Sequence, residues 1–385
     1  MRTHDLAVVG GDGIGPDVTV EALRCVHAAA DRFGFRVTTT DHDLGAERWL
    51  RDGVALDEAS TEELRGHDAI LLGAVGDPRV PPGVLERGLV VALRVALRHA
   101  VNVRPVRLYP GVTSPIRDLT PERCDLVIIR ENTEGLYAGG GSTVHQGTDH
   151  ATAIQNSITT TPATRACVDY AFRLAQARRR RVTLCHKTNI LVEAGKLWTT
   201  VVDEVGTSFP DVEQDYVHAD AMCQHLPLTP ERFDVVVTDN LFGDIISDLG
   251  ATLQGGLGLA ASGNIDPTGE NPGMFEPVHG SAPDIAGTGR ANPAAAVLSA
   301  ALCLAHLGEH DAALVLEAAT ASVLAELGNA GDSTTGIGTR IAERVGGADP
   351  AAIGDPTVSL MTAMGAVRTI DQQKRPTPHD RSLAS

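Results

Sequence analysis

The stretch "FDVVVTDNLFGDIISDLG", residues 233–250, reads as a strand running directly into a helix. "FDVVV" is the continuous apolar run of a strand buried on both faces, and the residues after it recur with helical spacing. A chain that repeats this βα unit builds a largely parallel sheet with helices on its faces. Beyond the strand, residues 238–250 hold three acids, Asp239, Asp244 and Asp248, among mostly apolar or small neighbours. Asp244 and Asp248 stand at i and i+4 on one helix face. Two carboxylates there repel by roughly 0.2–0.5 kcal/mol when solvated and by more when buried, unless a cation sits between them.

Outward from this unit, "LAVVGG", "RVTTTDHDL", "AILLGAVG", "DLVIIR" and "RVTLCH" are further strand-like runs that alternate with helical stretches, so the fold class is α/β. The segment "ENTEGLYAGGGSTVHQGTDHATAIQNSITTT" interrupts the alternation with Gly, Ser and Thr and some period-2 character, as an extended arm able to pair with a second subunit would. Periodicity fades from about residue 346, and "QQKRPTPHDRSLAS" has the composition of a disordered tail.

With 385 residues, two domains or one large α/β unit with an inserted lobe are expected. A hydrophobic content of 43% supports a sizeable core, and a formal net charge of -17 argues against nucleic-acid binding, which needs a basic face. The one basic cluster, "ARRRR" at 177–181, follows a helical pattern and reads as a solvated helix C-terminus. Six scattered cysteines without a CxxC pair read as buried reduced thiols. The N-terminus starts a strand at once, and the longest near-apolar run, "AAAVLSAALCLAHL", is too short for a membrane span of about 20 residues. A cytoplasmic protein without membrane contact is the expectation.

The opening loop "GGDGIGPD", residues 10–17, sits between a strand and a helix, but Pro16 stands where a dinucleotide fingerprint needs its third glycine. It is either a tight βα connection or a ligand loop. Arg94, Arg98, Arg104 and Arg130 fall close together; Arg104 and Arg130 belong to strand ends, where α/β folds place their crevice, and guanidinium forks match carboxylates. Against a global charge of -17, an anionic substrate needs such a local positive cluster. Lys187 in "CHKTNIL" and Tyr137 in "RENTEGLYAG" are candidate proton-transfer groups.

"GDGIGPD", "LLGAVGDP", "LERGLVVALR", "VNVRPVRLYPG", "RENTEGLYAG", "HKTNIL", "TDNLFGDIISDL", "LAASGNI" and "FEPVHGSAPDIAG" follow one another as in the β-decarboxylating dehydrogenases. From about residue 5 to 345 the chain resembles this isocitrate/isopropylmalate family, most closely its actinobacterial isopropylmalate branch. The resemblance implies a two-lobed fold with a mixed ten-stranded sheet, distinct from the Rossmann fold. Residues 1–100 with 258–345 would form a first, cofactor-side lobe, and 101–257 a second lobe with the arm and a homodimer interface. Residues 346–385 would be a partly disordered extension.

The resemblance further implies an NAD-dependent, Mg²⁺- or Mn²⁺-dependent enzyme that oxidises and decarboxylates a malate-type acid, with sites shared between two subunits. Asp244 and Asp248, with Asp220 of "VHADAM" from the other subunit, would hold the metal, Asp220 lying against substrate as well; Asp239 would stand behind them. Arg94, Arg104 and Arg130 would grip the substrate carboxylates, Lys187 would take the hydroxyl proton, and Tyr137 would protonate the enolate carbon. Ile14 would lie near the nicotinamide. Glu276, His279, Gly280, Ser281, Ala282, Pro283, Asp284 and Asn292 would wrap the adenosine half, and Asp284 predicts NAD over NADP. A catalytically dead relative should have lost one of Lys187, Tyr137, Asp220, Asp244 or Asp248, and all are present.

Two features bear on the substrate. On the helix of "LERGLVVALR", Gly88 and Val90, flanked by Leu89 and Val91, lack the donors with which isocitrate-specific relatives bind a third carboxylate, so Leu89 and Val90 should face an alkyl group. "RENTEG", however, is closer to isocitrate and tartrate dehydrogenases than the RELTGG or REGTEG of many isopropylmalate enzymes. Isopropylmalate is the expected substrate, with another 3-substituted malate, tartrate, D-malate or isocitrate as alternatives.

Overall fold

A computed structural model of the chain describes residues 1–328, 332–355, 359–364 and 367. Its frame is a mixed sheet in which ten strands take the order β2-β1-β3-β12-β11-β4-β5-β10-β8-β9. In chain order these are β1 (Thr3–Gly11), β2 (Arg36–Asp41), β3 (Ala69–Ala74), β4 (Val101–Arg107), β5 (Asp125–Glu131), β6 (Gly141–Val144), β7 (Thr152–Gln155), β8 (Arg181–His186), β9 (Glu213–His218), β10 (Val235–Thr238), β11 (Ala261–Ile265) and β12 (Gly273–Pro277), with β6 and β7 forming a separate hairpin.

The two flanks are parallel, and each comes from a different part of the chain: β2, β1, β3 and β12 on one side, β5, β10, β8 and β9 on the other. Between them β12, β11, β4 and β5 pair antiparallel. The two lobes are therefore stitched by one sheet whose direction changes at its centre, where α/β folds place ligands. β3 and β10 are buried along their whole length, as all-apolar strands covered on both faces must be. The helix Gly15–Phe33 buries Val18, Ala22, Cys25, Val26 and Ala29, an i, i+4, i+7 stripe. The helix Ala294–Leu307 is apolar and buried nearly all round; among the described residues no helix is long and apolar enough to cross a membrane.

Several expectations change. β9, β11 and β12 have no counterpart among the strand-like runs: β11 and β12 are five-residue strands containing Gly, Asn or Pro, which weaken the local strand signal. The basic run is solvated only in part: Arg179, Arg180 and Arg181 are more than a third exposed just past the helix end, but Arg178 is not. Arg178 is fully buried and donates to Asp234 at 2.9 Å and Asp125 at 2.8 Å, because β5 and β10 bring both acids under it. Cys223 is exposed, while the other five thiols are buried. Past residue 346, Ala348, Leu360, Met361, Ala363, Met364 and Val367 join the main core; the tail "QQKRPTPHDRSLAS" lies outside the described residues. The arm is the β6–β7 hairpin, exposed at every position, with Val144 and Ile154 presented to solvent.

Candidate active site

The helix Asn240–Leu253 starts at the end of β10 with Asp239 as its N-cap, whose carboxylate accepts from the Phe242 amide at 2.8 Å. Asp239 is thus consumed by the helix start and by a nearby His186 at 3.6 Å. Arg130, near the end of β5, lies across this first turn: it donates to Asn240 Oδ1 at 2.6 and 3.1 Å and to Asp244 Oδ1 at 2.7 Å. Only glycine at 243 allows that approach, since a Cβ there would stand 2.5 Å from Arg130 Cγ. Tyr137, on a short 3-10 turn, donates its hydroxyl to Asp244 Oδ2 at 3.0 Å, and the Arg130 guanidinium stacks 5.2 Å from its ring centre.

Arg104 stands in the middle of β4 rather than at its end, and reaches the same helix because β4 neighbours β5. It donates to Ser247 Oγ at 2.7 Å and lies 3.5 Å from Asp244 and 3.7 Å from Asp248. Burial, then the nearby Arg130 charge, pushes Arg104 down from the ordinary arginine range. Burial likewise lowers Arg130, against the opposing pull of Asp244. Two guanidiniums sharing a dry pocket are relieved by an anion. Asp244 is held below its ordinary value: burial raises it, but Arg130 and Arg104 outweigh that. Asp248 moves the other way, raised by burial and by Asp244. Tyr137 is raised by burial and by the Asp244 charge, so it keeps its phenolic proton at neutral pH.

Arg94 enters from the other lobe, 8% exposed, and donates to Glu276 at 2.9 Å; its Nε–H is buried without a partner among the described residues. The helical stretch carrying it begins with a π-helical turn, Glu86–Val91. Leu89 is a correction: it is fully buried with Leu85, Leu93 and Leu97 in a core of the first lobe, since i, i+4 spacing turns all four the same way. The half-buried Val90 and Val91 fall instead on the side that carries Arg94.

Lys187 and Asp220 do not join this cluster. They form their own ion pair at 2.6 Å, Asp220 being 67% exposed, and share no hydrogen bond or ion pair with Arg130, Tyr137 or Asp244. Among the described residues no group of three or more His, Cys, Asp or Glu converges to hold a metal. Asp244 and Asp248 nevertheless offer two hard oxygen donors, 37% and 55% exposed, as Mg²⁺ or Mn²⁺ requires; one chain supplies part of a coordination shell.

The glycine loop resolves into a connection that also docks on the expected cofactor segment. Gly13, at φ +59°, packs against the Ser281 carbonyl, 2.0 Å from where a Cβ would stand, and the Ile14 amide donates to that carbonyl at 2.8 Å. Asp12 ties the loop down by accepting from the Ala46 and Gly76 amides, both at 2.8 Å. Ile14 is buried, Ala282 has positive φ, and Gly280, Pro283 and Asp284 are exposed. His279 Nε2 is buried without a partner among the described residues, and burial lowers that imidazole's pKa. Such a nitrogen beside an exposed Gly280 and an exposed Asp284 fits a polar ligand such as a dinucleotide. Asn292 caps the following helix, accepting from the Ala294 amide at 2.9 Å. Glu276 is turned away from this segment, toward Arg94.

Residues not read as functional from sequence link these parts. Asn102, Asn264 and Asn132 are at most 1% exposed, and Asn264 and Asn102 lie on the hydrogen-bonded path from Arg94 to Arg104. Asparagine is depleted in strand interiors, and that rarity in "VNVRP" and "ASGNI" was the available signal. Asn132, the residue that sets "RENTEG" apart, bonds Asn264 and the His99 carbonyl, so it supports the site from behind.

A sheet with its reversal at the centre, Arg104 and Arg130 gathered over a carboxylate pair with Arg94 close by on Glu276, and a loop fit for a dinucleotide define a two-lobed α/β enzyme for anionic substrates. The family model for isocitrate/isopropylmalate dehydrogenases matches residues 5–345, and the chain belongs to that family. It is similar to the 3-isopropylmalate dehydrogenase of Thermobifida fusca, 55% identical over 89% of this chain and 98% of that one, and to that of Corynebacterium glutamicum, 54% identical over 87% and 98%. Among solved structures it resembles the isocitrate dehydrogenase of Methylococcus capsulatus, with a TM-score of 0.80, 36% identity and coverage of 89% and 99%.

Proposed function

We propose that the protein catalyses the NAD-dependent oxidative decarboxylation of 3-isopropylmalate to 4-methyl-2-oxopentanoate, a step of leucine biosynthesis, in the cytoplasm. The observation that carries this reading is the convergence of Arg104, Arg130 and Tyr137 on Asp244, with Arg94 held close by through Glu276 and Val90 and Val91 on the Arg94 side as an alkyl-accepting surface. The identity to relatives named for this activity supports it. The Asn132 amide nitrogen, the donor that sets "RENTEG" apart, is engaged by Asn264 and the His99 carbonyl and so lends the alternatives no support.

The functional unit is a homodimer that uses the exposed hairpin, with residues 1–100 and 258–345 as one lobe and 101–257 as the other. Arg94, Arg104 and Arg130 hold the substrate carboxylates and orient the reacting carbon. Lys187 of the second copy takes the proton of the substrate hydroxyl, and Asp220 of that copy completes the acidic set of Asp244 and Asp248. Bound at that acidic set, Mg²⁺ or Mn²⁺ would supply Lewis-acid stabilisation of the enolate, and bound NAD would supply the hydride acceptor. Tyr137, protonated at neutral pH, delivers its proton to the enolate carbon after CO₂ leaves. Ile14 borders the nicotinamide; His279, Gly280, Ser281, Ala282, Pro283, Asp284 and Asn292 line the adenosine side.

NADH absorbance with a panel of malate analogues tests the reading. 3-Isopropylmalate should exceed isocitrate in kcat/KM by at least ~100-fold, about 2.7 kcal/mol of discrimination. Tartrate, D-malate or isocitrate as best substrate would refute it.

A further inference from the structure

Asn264, Asn102 and Arg130 stand side by side on β11, β4 and β5, and Ser262, two residues before Asn264, stands opposite Glu276 on β12. Asn264 Nδ2 donates to Glu276 Oε1 at 2.9 Å and to the Met274 carbonyl at 3.0 Å. Its Oδ1 accepts from Asn102 at 3.1 Å and from Asn132 at 2.9 Å. A carboxylate and a carbonyl can only accept, so they force the amide nitrogen toward β12 and the oxygen toward β4. Beyond these neighbours lie the arginines: Glu276 receives Arg94 at 2.9 Å, and Asn102 Oδ1 receives Arg104 Nε at 2.7 Å. Arg94 and Arg104 come from different lobes, and one fully buried amide lies on the hydrogen-bonded path between them.

The geometry points to Asn264 as a positioning residue that sets Arg94, through Glu276, and Arg104, through Asn102, at the spacing a dicarboxylate needs. It touches no substrate; it fixes which way each partner's oxygen points. All four hydrogen-bonding positions of its amide are used, so any change of donor or acceptor there reaches both arginines. This inference rests on the dicarboxylate reading of the site.

The isosteric N264D variant exchanges the donating nitrogen for an acceptor. At pH 8 the introduced carboxylate faces Glu276 with no proton between them, and KM for 3-isopropylmalate should rise roughly thirtyfold over wild type at the same pH, with kcat within about threefold. Two adjoining carboxyls retain a proton more readily than one, so at pH 6 the introduced group should donate again and KM return to within about threefold. Asn264→Ala removes the amide without adding a charge, and KM should rise roughly tenfold at pH 6 and pH 8 alike, with kcat within about threefold. A wild-type KM for N264D at pH 8, or an equal loss at both pH values, overturns the proposal. Should N264D not fold, N264A decides alone: a KM raised at least about fivefold with kcat within about threefold supports it, and a wild-type KM or failure to fold overturns it. A wild type that ignores 3-isopropylmalate refutes the function instead. The positioning role is then read from the infrared carboxyl band of N264D, which titrates between pH 6 and 8 only if the introduced group and Glu276 share a proton.

Discussion

Asp244 and Asp220 are both expected metal-binding carboxylates, yet the chain treats them in opposite ways. Asp244 is enclosed by Arg130, Arg104 and Tyr137 and sits on a helix locked by its own N-cap. Asp220 is two-thirds exposed, and among the described residues its ion-pair partner is Lys187. A single chain thus gathers Arg130, Arg104 and Tyr137 around Asp244 and leaves Lys187 and Asp220 apart from them. If the function is as proposed, the difference is a division of labour between two copies, and it can be broken experimentally.

The largest effect is expected on the enclosed side. Asp244→Asn leaves Arg130 and Arg104 without their shared counter-charge and removes a metal donor; kcat/KM should fall by roughly 10³-fold, about 4 kcal/mol, with NAD binding by calorimetry nearly unchanged. Full activity in this variant after chelator treatment would remove the metal assignment. Next comes complementation. Lys187→Met and Asp244→Asn should each be inactive, whereas mixed and re-annealed together they should regain about a quarter of wild-type turnover, since half the dimers are mixed and each holds one intact site. No regain from properly mixed dimers would place the whole site in one chain.

A smaller effect concerns the cofactor. Asp284 stands exposed on the segment proposed to face the dinucleotide, where a carboxylate would repel a 2′-phosphate, so kcat/KM for NAD should exceed that for NADP by roughly 100-fold. Equal values would mean that Asp284 faces elsewhere. The smallest effect is on stability. Burial pushes Asp239 up to about 6, above its unfolded value, so the folded chain takes up a proton that the unfolded chain takes only nearer pH 4. Its contribution is therefore full below about pH 4 and lost as pH rises through 6. Asp239→Asn keeps a capping oxygen without the charge, and denaturant melts should show a gain of about 2 kcal/mol at pH 8 that shrinks at pH 5. A loss at pH 8 would show that the carboxylate charge itself stabilises the helix start.

Residue patterns alone carried the α/β class, the βα unit that presents Asp244 and Asp248, and the arginine-rich window, because these depend on local period and composition. The motif series carried the family. What the sequence could not decide is how separate stretches meet. Leu89 and Val90 are neighbours in the chain, but helical geometry sends one into the core and leaves the other beside Arg94. Arg178 looked solvated until β5 and β10 brought two acids beneath it. β11 and β12 carry too weak a strand signal to be read locally, yet their pairing places Asn264 and Glu276 between the arginines. Side-chain type and spacing are written in the chain; the partners of a buried polar group lie tens to hundreds of residues away, and only the packed sheet sets their distances.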